Sequence, residues 1–207
     1  VARALNCRPT EIVFTGGGSE ASNYALKGAV FGQLFGQSVV GAVFKSLFGR
    51  GGREAHVVIS AVEHPATTQP CDFLRRLGCR VTVVPVDRQG LVDPADVRRA
   101  LDRGATIVSV MHSNNEVGTL QPIKEIAAIT RARGVLLHTD AAQSLGKVAV
   151  DVNDLGVDLL TLAGHKLYAP KGVGVLFVRR GVRLEPLLHG AGHEGGRRAG
   201  TENVPYL

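Results

Sequence analysis

The sequence has few cysteines and no long hydrophobic segment. Its 3 cysteines, Cys7, Cys71 and Cys79, are an odd number without a Cys-x-x-Cys pair. This argues against a disulfide framework or a cysteine-bound zinc site and fits a reducing compartment. No signal peptide is visible, but the chain opens at Val1 without a methionine, so a targeting segment could precede it. No repeat of about 20 to 50 residues is present either.

The uncharged stretch 28–44 comes nearest to a membrane segment. A membrane span needs about 20 apolar residues, whereas this stretch is shorter and is interrupted by polar residues such as Gln33 and Gln37. Glycine recurs at every fourth position from Gly28 to Gly36, which would form a stripe of small residues on one face of a helix. We therefore predict a packed helix followed by a loop insertion, and no membrane partner.

The charge is basic but scattered. The 207 residues carry a net charge of +6, and 44% are hydrophobic and 20% charged, as in ordinary globular proteins with a sizeable core. Arginines lie singly or on helix faces, as at Arg75 and Arg76. The pair Arg197 and Arg198 in a glycine-rich loop is interpreted as anion recognition or surface. We predict no nucleic-acid partner.

Apolar strands alternate with helical patterns along the whole chain. This order predicts an α/β fold with a mostly parallel sheet covered by helices on both faces. Strands are predicted at 11–14, 56–60, 80–86, 106–111, 135–140, 158–163 and 174–178, and helices from 21, at 71–77, 93–102 and 122–133. Asp93 and the proline after it mark a helix start.

Lys166 lies at a turn between two of these strands, in the segment 161–172. A lysine held there by rigid strands is suited to forming a Schiff base, which needs a positioned amine. By itself the segment favours an ordinary exposed loop lysine, like the nearby Lys171. Asp140 changes this balance, because it ends a buried strand where α/β sheets bind ligands. A carboxylate there can pair with the protonated pyridine nitrogen of pyridoxal phosphate (PLP).

Two further loops carry binding groups. The turn 15–20, Thr-Gly-Gly-Gly-Ser-Glu, joins a strand to a helix. Its glycines and the helix amino terminus suit an anion, and Ser19 could be both helix cap and phosphate donor. The alternative interpretation is an ordinary capped turn, which has the same sequence pattern. His64 precedes a proline, which indicates an extended residue at a strand end. A surface histidine is the alternative interpretation.

Taken together, these motifs resemble the class V, fold-type I PLP enzymes, in the branch of cysteine desulfurases and selenocysteine lyases, over nearly the whole chain. The resemblance implies that Lys166 and His64 are catalytic, with Lys166 as the Schiff-base lysine and His64 stacked on the pyridine ring. The implied cofactor-binding residues are Gly18, Ser19 and His165 at the phosphate, Asn115 and Gln143 near the phenolic oxygen, Asp140 at the ring nitrogen, and Thr201 at the phosphate of a neighbouring subunit. No metal is implied.

The chain departs from the family pattern in two ways. Ala163 stands where a phosphate-binding serine is frequent, and we expect Thr161 to substitute in part. The catalytic cysteine loop, the substrate-binding arginine and the small domain are expected beyond Leu207. Residues 1–207 are therefore interpreted as the PLP-binding large domain of a longer protein, inactive by itself.

The implied activity removes sulfur or selenium from L-cysteine or L-selenocysteine and leaves L-alanine, as in iron–sulfur cluster assembly. The alternatives are a class V aminotransferase on the same scaffold and a PLP-fold protein without catalysis. The implied partners are a small amino-acid substrate, a second copy of the chain in a homodimer, and a sulfur or selenium acceptor protein. The expected location is the cytoplasm, or an organelle if a targeting segment precedes the chain.

Overall fold

A computed structural model describes residues 1–35 and 55–206. Within them the strands are β1 (Ile12–Thr15), β2 (His56–Ser60), β3 (Arg80–Val84), β4 (Ile107–Ser109), β5 (Leu136–Asp140), β6 (Leu159–Ala163) and β7 (Gly174–Val178). The α-helices are α1 (Gly18–Phe35), α2 (Pro65–Arg76), α3 (Pro94–Ala100), α4 (Ile123–Ala132) and α5 (Val152–Leu155). Short 3-10 turns lie at Pro9–Glu11, Gly164–Lys166, His193–Gly196 and Val204–Tyr206.

The seven strands form one sheet in the order β1-β7-β6-β5-β4-β2-β3. Neighbouring strands from β3 to β6 are parallel, whereas β7 is antiparallel to both β6 and β1. The predicted, mostly parallel sheet is confirmed. In this topology β2, β4, β5 and β6 end at the same edge, and that edge carries the candidate site.

Helices cover both faces because the strand side chains alternate in direction. In β2, Val57 and Ile59 pack beneath α1 and α2, whereas Val58 belongs to the core on the opposite face. There α3, α4 and α5 pack, with Ile126 of α4 fully buried. The central strands are therefore apolar on both sides, as expected for a parallel sheet.

Several helix starts are encoded locally. Asp93 caps α3 by accepting a hydrogen bond from the Ala95 N–H at 2.8 Å, as predicted. A cap of this kind stabilises by about 1 kcal/mol. By contrast, α2 starts at Pro65 rather than at residue 71. Pro65 occupies the first helical position, where no N–H is needed, and the internal Pro70 is tolerated.

The predicted glycine stripe is seen in part. Gly28 and Gly32 lie in α1 and let the backbone near Glu185 come close, while Gly36 and the rest of the predicted 28–44 segment lie outside the described residues. Within residues 1–35 and 55–206, no helix combines the length and the apolar character that a membrane crossing requires.

Candidate active site

A pocket of about 520 Å³ lies at the carboxyl edge of the parallel strands, against the amino terminus of α1. Eight of the residues singled out from the sequence line it: Gly18, Ser19, His64, Asn115, Asp140, Gln143, His165 and Lys166. They come from loops far apart in sequence, which the sheet brings together. Thr201 does not line the pocket. The volume of the pocket falls within the range of about 300–1,000 Å³ that is usual for small-ligand sites.

Lys166 is presented by a tight turn directly after β6. The turn is closed by hydrogen bonds from the Gly164 N–H to the Val173 carbonyl at 2.9 Å and from the Leu167 N–H to the Gly164 carbonyl at 2.8 Å. A side chain at Gly164 would meet that Val173 oxygen at 2.9 Å, so glycine is required there. Among the described residues, the Lys166 amine has no hydrogen-bond or ion-pair partner. The amine is therefore available to a ligand.

Asp140 ends β5 and is 7% exposed. Burial raises the pKa of its carboxyl, while the Ala142 N–H, which donates to Oδ1 at 2.9 Å, and the nearby His64 ring lower it. Burial costs a carboxylate its hydration, and one backbone N–H replaces only part of it. A cationic group in the pocket would therefore be bound favourably beside Asp140.

The glycine-rich turn (residues 15–20) approaches β6 and β7 closely. A side chain at Gly18 would lie 3.1 Å from the Ala163 methyl, and one at Gly174 would overlap the backbone of Gly17. Helix α1 begins at Gly18, and Gly17 accepts the hydrogen bond from the Ala21 N–H. Ser19 is therefore inside the first turn rather than the helix cap that was predicted. It still lines the pocket at the positive end of the α1 dipole.

His64 is the residue before α2, with the extended backbone predicted from the following proline (φ −65°, ψ 152°). Its Nδ1 accepts a hydrogen bond from the Ala66 N–H at 3.1 Å. This bond fixes the ring and leaves Nε2 as the nitrogen that can carry the proton. On the other side of the pocket, Gln143 Oε1 accepts from the Lys147 amine at 2.7 Å, which orients the amide.

One expectation from the sequence is wrong, and one pocket residue was missed. Thr161 does not substitute at the pocket for the serine absent at Ala163. It is fully buried, and its hydroxyl is hydrogen-bonded to Ser22 and to His138. Lys171 is an exposed turn lysine, as expected, but it also lines the pocket together with Lys166, which was not predicted. Its place in the same short turn was the signal that could have identified it.

The glycine-rich loop 189–203 packs against β1 and the glycine-rich turn. Arg197 donates to the carbonyls of Thr10 and Ile12 at 2.9 and 2.8 Å. Arg198 forms an ion pair with Glu20 at 2.8 Å, and Glu20 also accepts from the Gly16 N–H at 2.8 Å. These guanidinium groups are thus used inside the protein, which corrects their interpretation as anion-binding or surface residues.

Comparison with known proteins identifies the family. The sequence pattern of the class-V aminotransferases matches residues 1–206. The chain belongs to the class-V aminotransferase family. Enzymes of this family depend on PLP, which agrees with the cofactor expected from Lys166 and Asp140.

Among curated relatives of this class-V chain, cysteine desulfurase IscS of Dictyoglomus turgidum is 44% identical over 204 residues, which are 99% of the chain and 48% of the relative. The mitosomal cysteine desulfurase of Encephalitozoon cuniculi is 42% identical over 209 residues, 100% of the chain and 45% of the relative. A solved structure of SspA in complex with cysteine has a TM-score of 0.88 and 38% identity, and covers 100% of the chain and 55% of that structure. The chain spans about half the length of these proteins.

The pocket of this class-V chain fits PLP. The Lys166 amine, which has no partner among residues 1–35 and 55–206, suits the aldehyde. The buried carboxylate of Asp140 suits the pyridinium nitrogen, and the start of α1 suits the phosphate. The missing side chain at Gly18 opens space between α1 and Ala163. An amine, a buried carboxylate and a helix amino terminus are the three kinds of group that this cofactor requires.

Proposed function

We propose that this chain is the cofactor-binding part of a PLP-dependent cysteine desulfurase or selenocysteine lyase. The observation that carries the proposal is that the Lys166 amine and the buried Asp140 carboxylate line one pocket at the start of α1. Relatives named cysteine desulfurase, similar over at least 99% of the chain, support this branch of the family. They include a bacterial and a mitosomal protein, so the proposal fits either the cytoplasm or an organelle.

Each pocket residue has a proposed role. Asp140 would hold a proton at the pyridine nitrogen, and His64, fixed by the Ala66 N–H, would cover one face of the ring. Gln143, oriented by Lys147, would donate its amide N–H to the phenolic oxygen, with Asn115 nearby. The phosphate would be bound by Gly18, Ser19 and His165.

When bound, PLP stabilises negative charge at the α-carbon of an amino acid by drawing electrons into its ring. The Lys166 amine, once released by substrate, would take the proton from that carbon. Lys166 is well suited to this because its turn is held at Gly164 by backbone hydrogen bonds. Asp140 would keep the ring nitrogen charged throughout, because a carboxylate in a desolvated site interacts more strongly with a cation.

The thiol that accepts sulfur is proposed to lie outside this chain. None of the three cysteines lines the pocket. Cys71 and Cys79 are 1% and 7% exposed, and burial raises the pKa of Cys71 to about 12. The thiolate is the nucleophilic form of cysteine, and Cys71 would contain almost none at neutral pH. We therefore propose that residues 1–207 form the large domain of a longer protein.

The covalent attachment can be tested with the two lysines of the turn. Borohydride reduction of the PLP-bound protein that carries this chain should fix the cofactor to the peptide containing Lys166. Lys166→Ala should abolish this labelling, whereas Lys171→Ala, in the same turn and pocket, should keep it. Labelling of any other lysine, found by peptide mass spectrometry, would contradict the assignment.

The activity is tested by measuring products. With L-cysteine or L-selenocysteine, the protein should release alanine together with sulfide or selenide, and Asp140→Asn should bind PLP less tightly by about 1.5–3 kcal/mol and turn over more slowly. Keto-acid formation without sulfide would indicate an aminotransferase. Cofactor binding without any turnover would indicate a non-catalytic protein.

A homodimer with shared sites is also proposed. Thr201 is exposed, while Arg197 and Arg198 hold the loop that carries it against the rest of the chain. An exposed hydroxyl on an anchored loop would suit a donor to the PLP phosphate of a second copy. Thr201→Ala should weaken PLP binding by about 1.5–3 kcal/mol. In mixed dimers with Lys166→Ala subunits, the sites that keep Lys166 receive an intact Thr201 and should regain their affinity. A monomer with normal affinity, or dimers without recovery, would contradict sharing.

A further inference from the structure

Glu63 is a carboxyl group beneath the pocket that the proposed chemistry does not use. It lies between the end of β2 and His64, and it is 8% exposed. Its Oε1 accepts two hydrogen bonds, from the Ser60 hydroxyl at 2.5 Å and from the Met111 N–H at 2.8 Å. Met111 lines the pocket wall after β4. One carboxyl oxygen thus joins the ends of two neighbouring strands directly behind the site.

The other oxygen of Glu63 has no such partner. Oε2 is buried, and neither it nor the adjacent Thr67 hydroxyl has a hydrogen bond of ordinary geometry within the described residues, although the two groups are close enough to interact. An ionised carboxylate with one oxygen buried and unpaired would be costly. As a carboxylic acid, Glu63 carries a proton on Oε2 that can be directed to the Thr67 oxygen. The Thr67 hydroxyl can equally donate to an ionised Oε2, so this contact serves either form. What disfavours the ionised form is that a buried charge there would have no lysine, arginine or histidine partner among the described residues.

The charges around Glu63 also favour the acid. Asp140, on β5, raises its pKa, and in the described part of the chain no lysine, arginine or histidine forms a hydrogen bond or ion pair with it. The other titratable neighbours are Cys71 on α2, whose burial keeps the thiol neutral, and the adjacent His64. Burial and Asp140 raise the pKa of Glu63 to about 8, against the effect of its hydrogen-bond donors.

We propose that Glu63 is a positioning residue held as a neutral carboxylic acid, which ties Met111 to the end of β2 and so sets the pocket wall and the start of α2 at His64. Because Glu63 is neutral, it does not add a negative charge beside Asp140 that would compete for a cationic ligand. This second part rests on the proposed function, since it assumes that Asp140 and His64 contact PLP. The protonation state itself does not depend on the cofactor.

The first experiment measures protonation without PLP. Infrared difference spectra of the cofactor-free protein at pH 7 should contain a protonated carboxylic-acid band that disappears in Glu63→Gln and persists in the control Glu125→Gln, an exposed glutamate of α4. Asp140→Asn should move the titration of this band to lower pH, and Ser60→Ala, which removes a donor to the carboxyl, to higher pH. If Glu63→Gln removes only an ionised carboxylate band, the proposal is wrong.

The second experiment measures the dissociation constant of added PLP. Glu63→Gln keeps the oxygen acceptor and the neutral state, so its affinity should stay within about threefold of the parent protein. Glu63→Leu leaves the Met111 N–H buried without an acceptor and should weaken binding by about tenfold or more. Equal loss in both variants, or no loss in Glu63→Leu, would overturn the positioning role. If the parent protein does not bind PLP, the proposed function fails, while the infrared result stands separately.

Discussion

Gly174→Ala should displace the glycine-rich turn without any change in the chemical groups of the pocket. Gly174 begins β7 and pairs with Thr15 on one side and with Ala163 on the other. A methyl group there would lie 2.2 Å from the carbonyl carbon of Gly17, 2.5 Å from its oxygen and 2.6 Å from its Cα. These are backbone atoms, so no side-chain rotation can relieve the overlap.

The size of the effect follows from these distances. Carbon atoms in contact are about 3.5–4.0 Å apart, so the Gly17 backbone must move by more than about 1 Å. Overpacking of this kind costs about 1–3 kcal/mol of stability. Because the turn meets the start of α1, we expect PLP affinity to fall by at least about tenfold, as a displacement of about 1 Å is enough to disrupt a positioned site.

Denaturant unfolding of the cofactor-free protein and PLP titration monitored by absorbance would measure the two effects. Gly192→Ala is the matched control, because a side chain there meets no atom within 4 Å and its φ is −75°. The control should resemble the parent protein in both assays. A Gly174→Ala protein with unchanged stability and unchanged PLP affinity would refute the close packing of the turn on β7.

Three further predictions concern other parts of the chain. Gly32→Ala should stabilise α1 by up to about 1 kcal/mol, whereas Gly28→Ala should destabilise it in denaturant unfolding, because its methyl would meet neighbours at 3.0 Å. Arg198→Ala and Glu20→Gln should each weaken PLP binding, and a double-mutant cycle should give a coupling of about 1 kcal/mol; additive losses would contradict this. Burial lowers the pKa of His138 from 6.5 to about 3. As the pH falls, the unfolded chain therefore binds a proton at this residue before the folded protein does, and the free energy of unfolding should decrease below about pH 6.5. The decrease should be less steep in His138→Gln. Denaturant unfolding at a series of pH values measures how the free energy of unfolding depends on pH. Equal slopes in the parent protein and in His138→Gln would contradict the assignment of this effect to His138.

The strand ends were the most predictable part of the site. Asp140 and Lys166 follow short, mostly apolar runs, and such runs bounded by glycine or proline indicate buried strands. Once the sheet is parallel, the residues after those strands must meet at one edge. Strand β5 ends at Asp140 and β7 begins at Gly174, as the apolar pattern predicts.

The contacts that hold the site in place could not be predicted in this way. Arg198 and Glu20 are 178 residues apart in sequence, and Met111 and Glu63 are 48 apart. Nothing in the hydrophobic period specifies which polar side chains meet across such distances, because many partners are compatible with the same pattern. The start of α2 was missed for a local reason, since Pro70 interrupts the helical period although the helix continues through it.

The place of β1 in the sheet has a consequence for the order of folding. This strand pairs with β7, and Ile12 lies opposite Phe177, so the first of the described strands pairs with the last of them. Closing such a long loop carries a large entropic cost and is slow. On the ribosome, β2 to β6 can assemble while β1 still has no neighbour. The glycine-rich turn directly follows β1, so the pocket becomes complete only after residues 174–178 have emerged. A nascent chain therefore cannot bind its cofactor before then.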